Sequence, residues 1–95
     1  MMTELTPQYS SRQSFYKKAM VSYEIVSINK MDITLYSYGT KVAVVKIGYE
    51  AQPIAIVYGT YSATTSPHIK EFLLQHDFKA DNKKQILKDY GGKGL

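Results

Sequence analysis

The run Tyr58-Gly-Thr-Tyr-Ser-Ala-Thr-Thr-Ser-Pro-His-Ile-Lys-Glu-Phe-Leu-Leu74 decides the fold, because a strand pattern ends in it and a helix begins. Just upstream, Ile54, Ile56 and Tyr58 alternate with Ala55 and Val57, the period of a half-buried strand. Downstream, Ile69, Phe72, Leu73 and His76 recur at i, i+3, i+4 and i+7, which puts them on one helix face against a sheet and Leu74 on the other side. Ser66 stands before Pro67, and a proline at the first helical position gives up only an N–H that had no intrahelical partner. Ser62, Thr64, Thr65 and Ser66 are expected to turn the chain and cap this helix, their oxygens accepting from its free N–H groups.

Toward the N-terminus the pattern is period two. Val21, Tyr23 and Ile25 share one face of a strand, a turn follows over Asn29 to Asp32, and Ile33, Leu35 and Ser37 then alternate with Thr34, Tyr36 and Tyr38. Gly39-Thr40 is expected as a two-residue hairpin loop, Val42 to Ile47 as a β-branched third strand, and Gly48 to Gln52 as a longer loop before the fourth. Residues 1–11 show no period and read as a flexible lead-in, followed by one short helical turn from Phe15 to Ala19. Toward the C-terminus, Asp81 or Asn82 caps a helix reaching Tyr90, with Ile86, Leu87 and Tyr90 as its apolar stripe. Gly91 is expected to end it in a left-handed conformation, and residues 91–95 form a flexible tail.

These elements predict an α+β domain over residues 12–90. A four-stranded antiparallel β-meander is packed by one amphipathic helix, Pro67 to Gln75, with a short C-terminal helix beside it. At 95 residues there is room for one small core and none for a separate cofactor domain. No cysteine is present, which excludes thiol nucleophiles, thiolate zinc sites and disulfides, and fits a reducing compartment. The first twenty residues contain Glu4, Arg12, Lys17 and Lys18 and no apolar run, so neither a secretory signal nor contact with a membrane is expected.

Candidate chemistry is sparse. A hydroxyl nucleophile with His68 as base has no acidic orienter and no oxyanion loop beside it. His68 and His76 lie about 12 Å apart along a helix axis, too far to share one metal ion. No catalytic, cofactor or metal residue is therefore assigned, and the chain is expected not to be an enzyme. The net charge of +4 leans toward acidic partners. Nine tyrosines, with no tryptophan, suit half-buried strands and contact surfaces. The partner-binding candidates are Tyr36, Tyr38, Tyr61, Lys70 and Leu74, with Lys84 and Lys88 offering charge on the last helix.

Three blocks, Ser14-Phe-Tyr-Lys-Lys-Ala19, Leu35-Tyr-Ser-Tyr-Gly-Thr-Lys-Val-Ala43 and Tyr61-Ser-Ala-Thr-Thr-Ser-Pro-His-Ile-Lys-Glu-Phe-Leu73, resemble a family of small proteins common in bacteriophages and prophages of Gram-positive bacteria. Pro67 stands where that family often carries a second basic residue. The resemblance implies a viral or mobile-element accessory protein in the host bacterial cytoplasm. Such a protein is expected to act stoichiometrically on a host or defence protein, as anti-CRISPR inhibitors of nuclease complexes do. The alternative is a small nucleic-acid-binding protein that uses a tyrosine-bearing sheet face and the basic C-terminal helix, directly or within a protein complex. An exposed edge strand or the outward Leu74 leaves a homodimer open.

Overall fold

Alternating β-branched and aromatic residues from Ala19 to Tyr58 build a sheet whose strands lie side by side in the order the chain makes them. The computed structural model describes residues 2–58 and 62–92. Its elements are β1 (Met2–Glu4), β2 (Ala19–Ser27), β3 (Lys30–Ser37), β4 (Thr40–Ile47), β5 (Ile54–Tyr58), α1 (Ser66–Gln75), α2 (Lys83–Tyr90) and β6 (Gly91–Gly92). Strands β1 to β5 pair antiparallel. The two residues of β6 pair parallel to β5, Val57 with Gly91 and Tyr58 with Gly92.

The α+β class holds, but the sheet has five antiparallel strands where four were expected, with β6 as a short addition. The extra strand is β1, which lies in the expected lead-in. Met2 pairs with Ser22, Thr3 with Val21 and Glu4 with Met20, and Leu5 N donates to the Ala19 carbonyl at 2.9 Å. Three residues are too few to show a period, so main-chain pairing alone creates this strand. The expected helical turn after it is a tight reversal instead. Tyr16 and Lys17 take φ of 54° and 64°, while Ser14 Oγ accepts from Tyr16 N at 2.8 Å.

Both hairpin loops sit one residue or more earlier than expected. β3 starts at Lys30, inside the expected first turn, and Tyr38 and Gly39 form the second loop with φ of 53° and 81°. Tyr38 thereby leaves strand β3. Gly91 closes α2 at φ −59°, ψ 117°, which is not left-handed, because it continues directly into β6. Asn82 does cap α2, accepting from Gln85 N at 2.9 Å.

One face of the sheet forms the core. Val21, Ile33, Leu35, Ala43, Val45 and Val57 cluster with Ile69, Phe72 and Leu73 of α1 and Ile86 of α2, and with Leu5 and Phe15 from the N-terminal segment. Val44 is equally buried yet lies outside that cluster, since alternation turns it to the opposite face between Thr34 and Ile56. Both helices thus bury against one face, and among the described residues the other carries no helix. α1 also covers only part of its own face. Ten helical residues span about 15 Å, whereas the nine of β2 span about 30 Å. Exposure rises along one stripe of β2: Val21 is 3% exposed, Tyr23 48% and Ile25 79%.

Candidate functional site

The hydroxyl cluster before α1 shapes the region, though by other bonds than expected. Thr65 is the N-cap residue, with helical backbone angles and no side-chain cap hydrogen bond. The Ser62 carbonyl accepts instead from Thr65 N at 3.1 Å and Ser66 N at 3.0 Å, so a main-chain turn begins the helix. Ser62 Oγ and Thr64 Oγ1 bond each other at 2.8 Å. Pro67 follows Ser66 as the second residue of α1, one place further in than expected.

Thr65 turns its hydroxyl inward. Its Oγ1 lies 3.0 Å from Ser37 Oγ, which in turn lies 2.8 Å from His68 Nδ1. Phe15 meets the His68 ring edge-on at 4.7 Å, and Tyr38 lies against it at 5.7 Å. Burial lowers the His68 pKa below its ordinary value, and the Arg12 and Lys18 charges lower it further. A hydroxyl and an imidazole are thus in contact, but both are buried and among the described residues no carboxylate bonds the ring, so the arrangement is that of a polar clasp. Ser37 was visible in sequence only as a polar residue in the stripe of Ile33 and Leu35. Its partnership with His68 spans more than thirty positions, and no local spacing encodes it.

Glu71 of α1, a residue type ordinarily at the surface, is 2% exposed. Its carboxylate accepts from Gln8 N at 2.8 Å, from Tyr9 N at 3.0 Å and from Gln75 Nε2 at 2.6 Å. Gln75 also donates to the Thr6 carbonyl at 2.7 Å. One buried carboxylate therefore ties the N-terminal segment to α1. Charge-assisted bonds of this kind offset the cost of removing the charge from water.

Between that segment and the solvent side of α1 runs a groove of about 520 Å³. Tyr9, Ala63, Pro67 and Leu74 give it apolar walls, Ser10, Ser62 and Ser66 add hydroxyls, and Lys70 and Lys83 bring positive charge. Glu71 is the one carboxylate among its described lining residues, and it accepts the bonds above. The volume is that of ordinary ligand and side-chain pockets. Of the sequence candidates, Lys70 and Leu74 meet here, and Tyr61 lies outside the described residues. Lys84 and Lys88 are exposed on α2 but do not line the groove, where Lys83 stands instead.

Tyr36 and Tyr38 do not share a face. Tyr36 is half-buried on the helix-free side of β3, while Tyr38 is in the loop beneath Lys18, whose Nζ is 5.6 Å from the ring. On the helix-free face Lys41 Nζ lies 5.1 Å from the Tyr58 ring, and Lys30 and Lys46 both approach Tyr49. Lys46 pairs with Asp32 at 3.2 Å. Burial acts to lower the Lys46 pKa, but the hydrogen bond and charge of Asp32 outweigh it and raise the pKa. Among the described residues no cluster of three or more His, Cys, Asp or Glu could hold a metal ion, and no helix is long and apolar enough to cross a membrane.

Residues 3–88 match a family described as a family of unknown function (DUF8033), and the chain belongs to it. The matched span includes every residue that lines the groove. No curated protein and no solved structure matches the chain.

Proposed function

We propose that this DUF8033 chain acts without catalysis, as a binding module whose groove beside α1 receives an acidic, partly apolar segment of a partner protein. The groove itself carries the reading. Lys70 and Lys83 stand beside its apolar walls, two cationic side chains to the one carboxylate, Glu71, among the described lining residues. Leu74 and Tyr9 supply the kind of apolar and amphipathic surface that anchors interfaces. The resemblance to phage and prophage proteins supplies the context, a host or defence protein in the bacterial cytoplasm, such as a nuclease complex held inactive by occupancy.

The test compares capture of a partner from bacterial lysate by the tagged wild-type chain, Leu74→Asp and Lys70→Glu, with thermal unfolding as a control. The expected result is a copurifying protein whose affinity falls about tenfold or more in each variant, with the melting temperature holding in Lys70→Glu; Leu74→Asp, at a side chain packed against the core cluster, is read only where it remains folded. Equal capture by all three would remove the groove from the mechanism.

A second reading, nucleic-acid binding, draws on the helix-free sheet face, where Tyr36 and Tyr58 stand with Lys41 and Lys46. It expects affinity for single strands that falls steeply with salt and is weakened by Tyr36→Ala and Lys41→Ala. Binding that ignores salt, or its absence, sinks this alternative.

A further inference from the structure

The N-terminal segment is fastened firmly at two places and lightly between them. At the first, Leu5 is buried and its N–H bonds the Ala19 carbonyl. At the second, Phe15 is buried against His68, and Glu4 Oε2 accepts from Ser14 Oγ at 3.3 Å and from Lys17 N at 3.1 Å. Glu4 thereby draws the two fastenings together, and residues 6–13 leave and re-enter the fold at one base, as an Ω-loop does. No side chain within the loop is buried: Pro7 and Ser10 are half-buried and the others, Tyr9 at 61% among them, are exposed.

Among the described residues, the hydrogen bonds from this loop to the rest of the fold reach two side chains one turn apart on α1. Glu71 accepts from Gln8 N and Tyr9 N, and Gln75 donates to the Thr6 carbonyl. A segment with little buried apolar surface and few bonds opens at far less cost than a core strand. Its base does not depend on those bonds, since Leu5, Phe15 and Glu4 hold it separately. Tyr9 and Ser10 meanwhile form one wall of the groove beside α1, and Glu71 stands in its lining.

We propose that residues 6–13 are a latch on this groove, which lifts as a unit about its base while β1, the Phe15 turn and α1 stay in place. Glu71 is the positioning residue that shuts it. Shut, the groove has Tyr9 and Ser10 as a wall. Open, that wall is gone and the Glu71 and Gln75 side chains are released from the Gln8, Tyr9 and Thr6 main chain. The latch thus regulates access to the groove. It rests on the reading of that groove as the partner site only for its purpose: lifting is measured on the chain alone, so a failed partner capture leaves the latch standing, and a rigid loop leaves the partner site standing.

Hydrogen exchange on the folded full chain, followed amide by amide at rising sub-denaturing urea, tests the proposal. The Gln8 and Tyr9 amides should be protected, yet exchange about 100-fold or more faster than that of Val45 in the inner strand β4, at a rate urea scarcely changes, because lifting exposes little surface. The Leu5 amide, at the base, should open separately and more rarely. Glu71→Gln, which keeps the shape and loses the charge, should speed exchange at Gln8 and Tyr9 about tenfold and leave Leu5 unchanged. Because the chain has no cysteine, Ser66→Cys places a single thiol in the groove lining, and its alkylation should quicken when Glu71→Gln is added. Gln8 and Tyr9 amides that are unprotected or that exchange only with the core, a Leu5 amide that opens together with them, or a thiol indifferent to Glu71→Gln would each overturn it.

Discussion

The two ends of the sheet are made from the same alternation and meet opposite fates. At the end where β2 begins and β3 finishes, α1, the Phe15 turn and the N-terminal segment converge, and Ala19, Val21, Leu35 and Ser37 are all buried. At the end where β2 finishes and β3 begins, Ile25, Val26 and Ile28 stand in solvent. Position in the sheet contributes to the difference: Ile33, which pairs with Tyr23 but lies one strand further in, is 4% exposed, whereas Tyr23 on the outer strand is 48% exposed. Alternation tells which side chains share a face; burial depends on what arrives to cover them.

Core substitutions should separate the two ends most sharply. Phe72, fully buried at the covered end, should cost about 3–5 kcal/mol when replaced by alanine, by transfer and cavity terms together, measured by urea unfolding. If the loss falls below about 1 kcal/mol, the cluster is not packed as described. Next comes the clasp that holds the N-terminal segment down. Glu71→Ala should cost about 1.5–3 kcal/mol and free the Gln8 and Tyr9 amides to exchange, because their acceptor is gone. Persistent protection of those amides would mean that the segment is held by other means.

The covered end should also respond to pH. Burial depresses the folded pKa of His68, so in mildly acidic solution the unfolded chain binds the proton more readily. Stability should therefore be constant in this group above its ordinary value of 6.5, and fall as pH drops from there toward the depressed folded value. His68→Asn should flatten that slope in denaturation series at stepped pH; an unchanged slope would assign it elsewhere, His76 being the other histidine whose pKa burial lowers. The smallest effect belongs to the bare end. Ile28→Ser should shift stability within about 0.5 kcal/mol, since the side chain leaves no core when it goes. A larger loss at low protein concentration would show that this end is covered within the monomer after all.

Much of the fold was legible because its signals are local. The alternation in β2 to β5, the helical period of Ile69, Phe72 and Leu73, and Asn82 as a cap each need only a few neighbouring residues. Strand β1 was not legible, since it exists only through its pairing with β2. The groove was half legible: Lys70 and Leu74 follow from their places on α1, whereas Tyr9 and Ser10 reach it through Glu71, more than sixty residues away. The capping role expected of the hydroxyls failed for a related reason. Thr65 found a buried partner in Ser37, which leaves its oxygen unavailable to the helix N–H groups.

The sequence by itself determined the period of each main element, the class of fold and the placing of Lys70 away from the helix's core-facing stripe, because these follow from backbone geometry repeated over a few residues; Leu74, expected on the opposite side, is half-buried and packs against the core cluster. Tertiary structure alone decided that Met2–Glu4 is a strand, that Glu71 is a buried clasp, that Tyr38 leaves the sheet, and that half of β2 stays uncovered. Each of those depends on the distance and reach of chain segments far apart in sequence, a quantity that no local pattern of residues contains.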